Sequence, residues 1–546
     1  MAFKLQYLNQ EHSFTNKVSL RSLLPENHPF LCAKVNHRVR DLNYEVYFDA
    51  TIEFLSILEQ EAIRTYETSL RYLLAMAVHQ INPLFRFRFS YHISRSIFMD
   101  FTNPKEIDLS FANQLEAKLK TLIQANLPFE RTIVTKEEAI TTYQNLGFTD
   151  KLEILQYRPE KTVHFYRCGD YINYMNGIMA LSTGSIKDWK LIHYSPGILV
   201  QYPRSETKGK IPQFEDAPIF GQSLKEAHIW STITQADSVA RINKYVSEER
   251  VVDFINLCEA KHSRMLVELG EAIEKQKHTL RLICIAGPSS SGKTTFANRL
   301  RIELMSRGFQ PIRISIDDYY LPKDQAPKDH DGKPDLENIH ALNIALFNEH
   351  LAQLLSGQEV QLPTSKFDAS LTSPKKLKIE NDTLIIIEGI HALNDSLTAV
   401  VGKEQKYKIY ISPQSQINYD DHNPISLTDL RLLRRMVRDK KYRGSPAEQT
   451  MDMWPSVRRG EFKWIYQTQE EANYVFNSFL PYELCVMKRY AIPVLSSIEK
   501  ESIYFPTAER LIRMLKYFVD MDEKWIPSNS LIREFIGGSC FREVEG

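Results

Sequence analysis

Residues 281–300, RLICIAGPSSSGKTTFANRL, restrict what this chain can fold into more than any other stretch. Leu282 to Ala286 are apolar and partly β-branched, the run expected of a strand buried on both faces. Gly287, Pro288, Ser289, Ser290, Ser291 and Gly292 make a tight turn, and Lys293, Thr294 and Thr295 open a helical pattern. The string fits G-x-x-x-x-G-K-[ST] set between a strand and a helix. Glycines let the backbone wrap a polyphosphate, amide N–H groups and a helix N-terminus face it, Lys293 reaches the β- and γ-phosphates, and Thr294 ligates Mg²⁺. Residues 287–295 are therefore predicted to bind a nucleotide.

A chain of 546 residues is too long for one core, and 43% hydrophobic with 25% charged residues is the composition of a folded protein. Lys plus Arg and Asp plus Glu both number 68, so no overall basic field would drive nonspecific nucleic-acid binding. No apolar run reaches membrane-spanning length, and MAFKLQYLNQEHSF does not read as a signal peptide. The six cysteines (Cys32, Cys168, Cys258, Cys284, Cys485, Cys540) form no C-x-x-C pair. A reduced, cytoplasmic setting away from membranes is expected.

Residues 1–60 alternate short β-type runs with polar turns. From Glu61 the pattern turns helical, with Leu70, Leu73, Leu74, Ala77, Val78 and Ile81 on one stripe before Pro83. Residues 195–218, rich in Pro, Gly and charge, read as a linker or exposed loop, and 223–277 as a helical connector.

The string AKVNHRVRDLNYEVYFDATIEFL resembles the end of a TGS domain, the ubiquitin-like module at the start of threonyl-tRNA synthetase. SLRYLLAMAV and YRCGDYINYMNGIMALSTGSIKDWKL resemble parts of that synthetase's second, editing-type domain. The resemblance implies two metal-binding histidines four apart on the helix, and Thr68 and Tyr72 stand there; the later Cys and His fall on Met175 and Met179. Thioether and phenol do not replace imidazole and thiolate for Zn²⁺, so the fold is expected without metal-assisted hydrolysis.

Beyond the nucleotide loop, residues 311–316 read as a second strand ending in Asp317-Asp318-Tyr319-Tyr320. Ligands collect beyond the carboxyl ends of strands in such sheets. Asp317 there can take a proton from an attacking hydroxyl, or it can cap a helix or hold Mg²⁺ through water. Residues 383–387 form a third apolar strand ending in Glu388, the place for an acid that holds Mg²⁺, or for a strand-end acid in solvent. Arg431, Arg434, Arg435, Arg438, Lys440, Lys441 and Arg443 crowd one helical segment. A solvated face and a nucleic-acid face are alternatives to the preferred reading, a lid closing arginines over ATP phosphates.

IAGPSSSGKTTFANRL, ISIDDYYLP, LIIIEGIHALND and RLLRRMVRDKKYRGSPAEQTMDMWPSVRRGE together resemble the uridine kinase/phosphoribulokinase family. The resemblance implies Asp317 as catalytic base with Lys293, and Tyr320, Glu337, Phe367 and Arg435 on the substrate. It implies Arg438 and Arg443 at the ATP site, and Thr294 and Glu388 on Mg²⁺. The family's P-x-Y-D-F falls on residues 363–367, where Pro363 and Phe367 alone survive, and Ser445 replaces a further arginine. A pocket built to hydrogen-bond one base depends on such groups, so reaction type carries over better than substrate.

The expected architecture is a TGS-like β-grasp module (1–60), an α+β editing-like domain without metal ligands (61–217), a helical connector (218–278) and a P-loop kinase domain with a parallel sheet (279–546). The expected activity is transfer of the γ-phosphoryl of ATP, with Mg²⁺, to the 5′-hydroxyl of a nucleoside such as uridine or of a related sugar. The alternative is a regulatory RNA- or tRNA-binding ATPase that uses the kinase fold as a switch. A small-molecule acceptor, an RNA at the front half and a second copy of the chain are the partners to test.

Overall fold

The computed structural model describes residues 2–329, 332–363, 376–380 and 382–544; expected substrate residue Phe367 lies outside them. The front of the chain forms a five-stranded mixed sheet in the order Gln10–Phe14, Phe3–Tyr7, Ala50–Ser56, Phe30–Val35, Arg38–Arg40. Strands Phe3–Tyr7 and Ala50–Ser56 run parallel, and Phe3, Leu5, Leu20, Val35 and Ile52 fill a small core beneath.

Next comes the helix Gln60–Ile81, on which the predicted stripe from Leu70 to Val78 is buried. Burial is not confined to the stripe, because Tyr72, Ala75 and Met76 on its other sides are covered too. The helix packs against an antiparallel sheet ordered Lys190–Tyr194, Gly197–Gln201, Ser96–Phe101, Phe87–Ile93. This corrects the linker expected over 195–218: Gly197–Gln201 is an interior strand, buried at every residue. Its apolar run Ile198-Leu199-Val200 is shorter than the turn-rich flanks that mask it. Met175 and Met179 join Tyr72 and Phe129 in the apolar core, and the Tyr72 hydroxyl donates to the Tyr171 carbonyl at 2.8 Å.

The C-terminal half is built on five parallel strands in the order Pro311–Ser315, Leu384–Glu388, Leu282–Ala286, Lys406–Ser412, Tyr474–Asn477. Alternate side chains serve two cores, which is why the strands read as unbroken apolar runs. Ile283, Ile285, Ile386, Ile409 and Ile411 pack on Phe296 and Leu300, while Cys284, Ile385 and Ile387 pack on Phe347 and Leu351. Helices Val239–Ser247 and Val251–Glu274, within the expected connector, contribute Val239, Ile242, Phe254 and Leu266 to the first of these cores.

A hairpin, Asn418–Asp420 with Asn423–Pro424, inserts from the C-terminal half into the front domain. Arg71 donates to the His422 carbonyl, the Asn176 N–H to Asn423 Oδ1 at 2.7 Å, and the Phe89 N–H to the Asp421 carbonyl at 2.9 Å. Lys151 and Asp420 form an ion pair at 2.9 Å whose side chains are 1% and 0% exposed. No helix of the described residues is long and apolar enough to cross a membrane.

Candidate functional site

Three strand ends define the site. The turn after Leu282–Ala286 carries the glycine-rich loop, Glu388 closes its neighbour Leu384–Glu388, and Asp317 stands two residues past Pro311–Ser315. The loop's glycines are steric necessities. A Cβ on Gly287 would collide with the Ile411 carbonyl, and Gly292, at φ +89°, has no room beside Leu531. Ser290 at φ +60° and Gly292, also left-handed, give the loop the turned backbone of an anion-binding concavity before the helix Lys293–Ser306.

Lys293 Nζ donates to the carbonyls of Gly287 at 3.1 Å and Pro288 at 3.3 Å, so its charge is held inside the loop. Burial lowers its pKa, against the pull of Glu388, Asp317 and Glu534. Thr294 Oγ1 lies 3.3 Å from Glu388 Oε1, which also accepts from Arg313 Nη1 at 3.1 Å. Burial pushes the Glu388 carboxyl up to about 7, with Arg313 opposing and Asp317 adding repulsion. A hydroxyl and a carboxylate so placed suit Mg²⁺, which takes few protein oxygens and completes its shell with phosphate and water. The buried hydroxyls of Ser290, Ser291 and Thr295 have no hydrogen-bond partner among the described residues, and phosphate oxygens fit that need.

Asp317 is open to solvent, and the Ser315 hydroxyl accepts its N–H at 3.3 Å. The protein around the cleft raises its carboxyl, while Lys293, Arg438 and Arg443 pull it down; all of these groups share one electrostatic neighbourhood. Glu337 lies on the same side, pushed up to about 8 by burial and by Glu461, against Arg435 and Lys293. Tyr320 feels the charges of both Asp317 and Glu337, and burial holds its phenol protonated. Burial also brings His391 down to about 4, a neutral imidazole beside the Glu337 backbone that sequence reasoning did not single out.

The arginine helix, Leu427–Arg443, starts at Ser426, whose hydroxyl accepts the Asp429 N–H, and stops at Gly444, φ +63°. Three of its arginines, Arg431, Arg434 and Arg435, are buried within the fold. Arg431 and Arg434 are 2% and 0% exposed, and each is locked to a buried acid, Glu461 and Glu483. Arg431 Nη2 donates to the Ser289 carbonyl at 3.0 Å, Arg434 Nη1 to that of Ser290 at 3.3 Å, and Arg435 Nη1 to the Ser289 hydroxyl at 3.0 Å. These arginines brace the outside of the loop. Arg435, Arg438 and Arg443 share one acid, Asp439, and of the three Arg443 is the most exposed.

Sequence reasoning also missed Glu534. Its Oε2 accepts the Thr295 N–H at 3.0 Å, at the mouth of the loop, from a helix of residues 533–536. No local signal marks that residue, since its partner lies 239 positions earlier.

Residues 282–483 match the family model described as Phosphoribulokinase / Uridine kinase family. The front half matches threonine–tRNA ligases: that of Bacillus subtilis (strain 168) is 29% identical over 184 residues, 34% of this chain and 28% of the ligase. That of Acetivibrio thermocellus is 26% identical over 213 residues, 39% of this chain and 32% of the ligase. The chain thus spans about a third of the length of these curated relatives. A solved structure from Bacillus stearothermophilus, described as a possible uridine kinase, is 18% identical with a TM-score of 0.26, over 39% of this chain and 98% of that one. A uridine kinase/phosphoribulokinase-type match over residues 282–483 thus lies in the C-terminal half, joined to a front half similar to threonyl-tRNA synthetase.

Proposed function

We propose that the C-terminal half transfers the γ-phosphoryl group of ATP to a hydroxyl, the 5′-hydroxyl of a ribonucleoside or that of a related sugar. The observation that carries this reading is the meeting of Lys293, Asp317 and Glu388 at the ends of three adjacent strands, with Arg438 and Arg443 acting on Asp317. The loop N–H groups and Lys293 bind and orient the phosphates. Thr294 and Glu388 would hold Mg²⁺, which would supply positive charge to neutralise the transferring group. Asp317 takes the proton of the acceptor hydroxyl as the hydroxyl oxygen bonds to the γ-phosphorus and the bond from that phosphorus to the bridging oxygen of departing ADP breaks. Glu337, Tyr320, Arg435 and Phe367 are assigned to the acceptor.

The test is ATP consumption by the full chain across a panel of nucleosides, sugars and sugar phosphates. Acceptor-dependent turnover that disappears in Lys293→Ala is expected. ATP hydrolysis without any acceptor, stimulated by tRNA, would replace this reading with that of an RNA-linked ATPase switch. The docking of the front domain onto the hairpin that leads into the arginine helix favours that second reading.

A further inference from the structure

The C-terminal segment around Glu534 crosses the loop instead of trailing from the fold. Leu531, Ile532, Phe535 and Ile536 are at most 1% exposed and belong to the main core. The Lys441 ammonium donates to the Ile536 carbonyl at 2.8 Å, and the Arg434 guanidinium lies 5.0 Å from the Phe535 ring centre. Leu531 rests against Gly292. This fixed strap leaves one polar group pointing at the loop: Glu534, itself 5% exposed, whose carboxylate takes the N–H of Thr295.

That N–H belongs to the first turn of the helix that opens on Lys293, where loop amides cradle the α- and β-phosphates of a bound nucleotide. A carboxylate there offers what a phosphate offers: negative charge and acceptor oxygens at a helix N-terminus. We propose that Glu534 is an internal phosphate mimic, an autoinhibitory contact that a nucleotide must displace from Thr295 before it can seat fully in the loop. The inference rests on the reading of residues 287–295 as the ATP site. The strap's apolar residues stay in place, and the Glu534 side chain alone swings out.

Two costs follow for a nucleotide: the lost Thr295 bond and the nearness of a displaced carboxylate to incoming phosphates. Removing the charge removes the second cost and weakens the first, because a neutral acceptor holds the Thr295 N–H less strongly. Titration calorimetry of the full chain with ATP and Mg²⁺ tests this in wild type, Glu534→Gln and Glu534→Ala. Gln keeps an acceptor of the same shape, so it guards against a loss of folding, which a thermal melt without ligand checks. The expected result is ATP binding at least about tenfold tighter in Glu534→Gln, about 1.4 kcal/mol, and tighter still in Glu534→Ala. Equal affinity in wild type and Glu534→Gln overturns the proposal while leaving the ATP site standing. Absence of ATP binding in wild type and both variants overturns the proposal and the site together.

Discussion

Replacing Arg434 with Met separates two jobs that its guanidinium performs at once. The group is fully buried, donates from Nε to Glu483 Oε1 at 2.9 Å, and reaches the carbonyls of Ser478 at 2.9 Å and Ser290 at 3.3 Å. In Arg434→Met the Glu483 carboxylate, also 0% exposed, stays buried without its counter-ion. Stranding a charge in this way costs about 3–5 kcal/mol. At roughly 2–4 °C per kcal/mol for a domain of this size, the melting transition of the C-terminal half should fall by roughly 6–20 °C. Buried pairs replaced by apolar residues of similar volume are often neutral or stabilising. Arg434→Met/Glu483→Met should therefore recover most of the lost stability. It should not recover ATP affinity, because the Ser290 carbonyl has lost the donor that holds the loop's shape. Scanning calorimetry of the full chain, with the transition identified by its rise on adding ATP and Mg²⁺, reads the first quantity. Titration with ATP reads the second. A single variant melting like wild type, or a double variant regaining affinity together with stability, would refute the assignment of Arg434 as a brace of the loop.

Asp317→Asn should fold as wild type, bind ATP, and lose about 10²–10⁴ in turnover, measured by coupled ATP assay; unchanged turnover removes the base. On the proposed role of Glu388 as a Mg²⁺ ligand, its carboxyl, pushed up to about 7 by burial, would have to shed its proton to take the ion, so Mg²⁺-dependent ATP affinity should fall as pH drops from 8 to 6, and Glu388→Gln should flatten that slope. The same raised carboxyl favours the ligand-free fold below its unfolded value near 4.5, and that contribution is lost as pH rises through about 7. Asp429 behaves oppositely: burial pushes it up, but Arg510 and Arg64 outweigh burial and hold it at about 2. Its share of the docking between the front helix and the arginine helix is present above about 4 and lost as pH falls through about 2. Limited proteolysis over that range should show the front half releasing, and Asp429→Asn should release it already at neutral pH.

The loop, the strand-end acids and the parallel sheet were legible because each is written in a few consecutive residues. The run Leu282–Ala286 with its glycines, and Ile385 to Glu388, signal buried strands ending in chemistry without reference to the rest of the chain. What escaped depends on partners far along the chain. The charge on Arg431 and Arg434 suggested a surface or a lid, because the acids that bury them, Glu461 and Glu483, lie 30 and 49 residues later. Glu534 is an ordinary helix residue until its partner at Thr295 is known. Strand Gly197–Gln201 escaped for another reason: Pro and Gly on both sides signal turns more strongly than three apolar residues signal a strand.

The front half is similar to threonyl-tRNA synthetase, and side chains fill the positions that the resembled family gives to metal ligands. Thr68, Tyr72, Met175 and Met179 are buried, at the positions where the resembled family keeps its metal ligands. Beside them Arg71, Asn173 and the Asn176 amide hold His422 and Asn423 of the inserted hairpin. The hairpin ends at Pro424 and the arginine helix begins at Leu427, so the backbone seated in the front domain runs directly into the helix that braces Ser289 and Ser290. Lys151 and Asp420 bury an ion pair at this joint, and breaking it by removing one partner costs about 3–5 kcal/mol. Seating of the front domain and shape of the glycine-rich loop are therefore one packing problem, shared by residues 418–443.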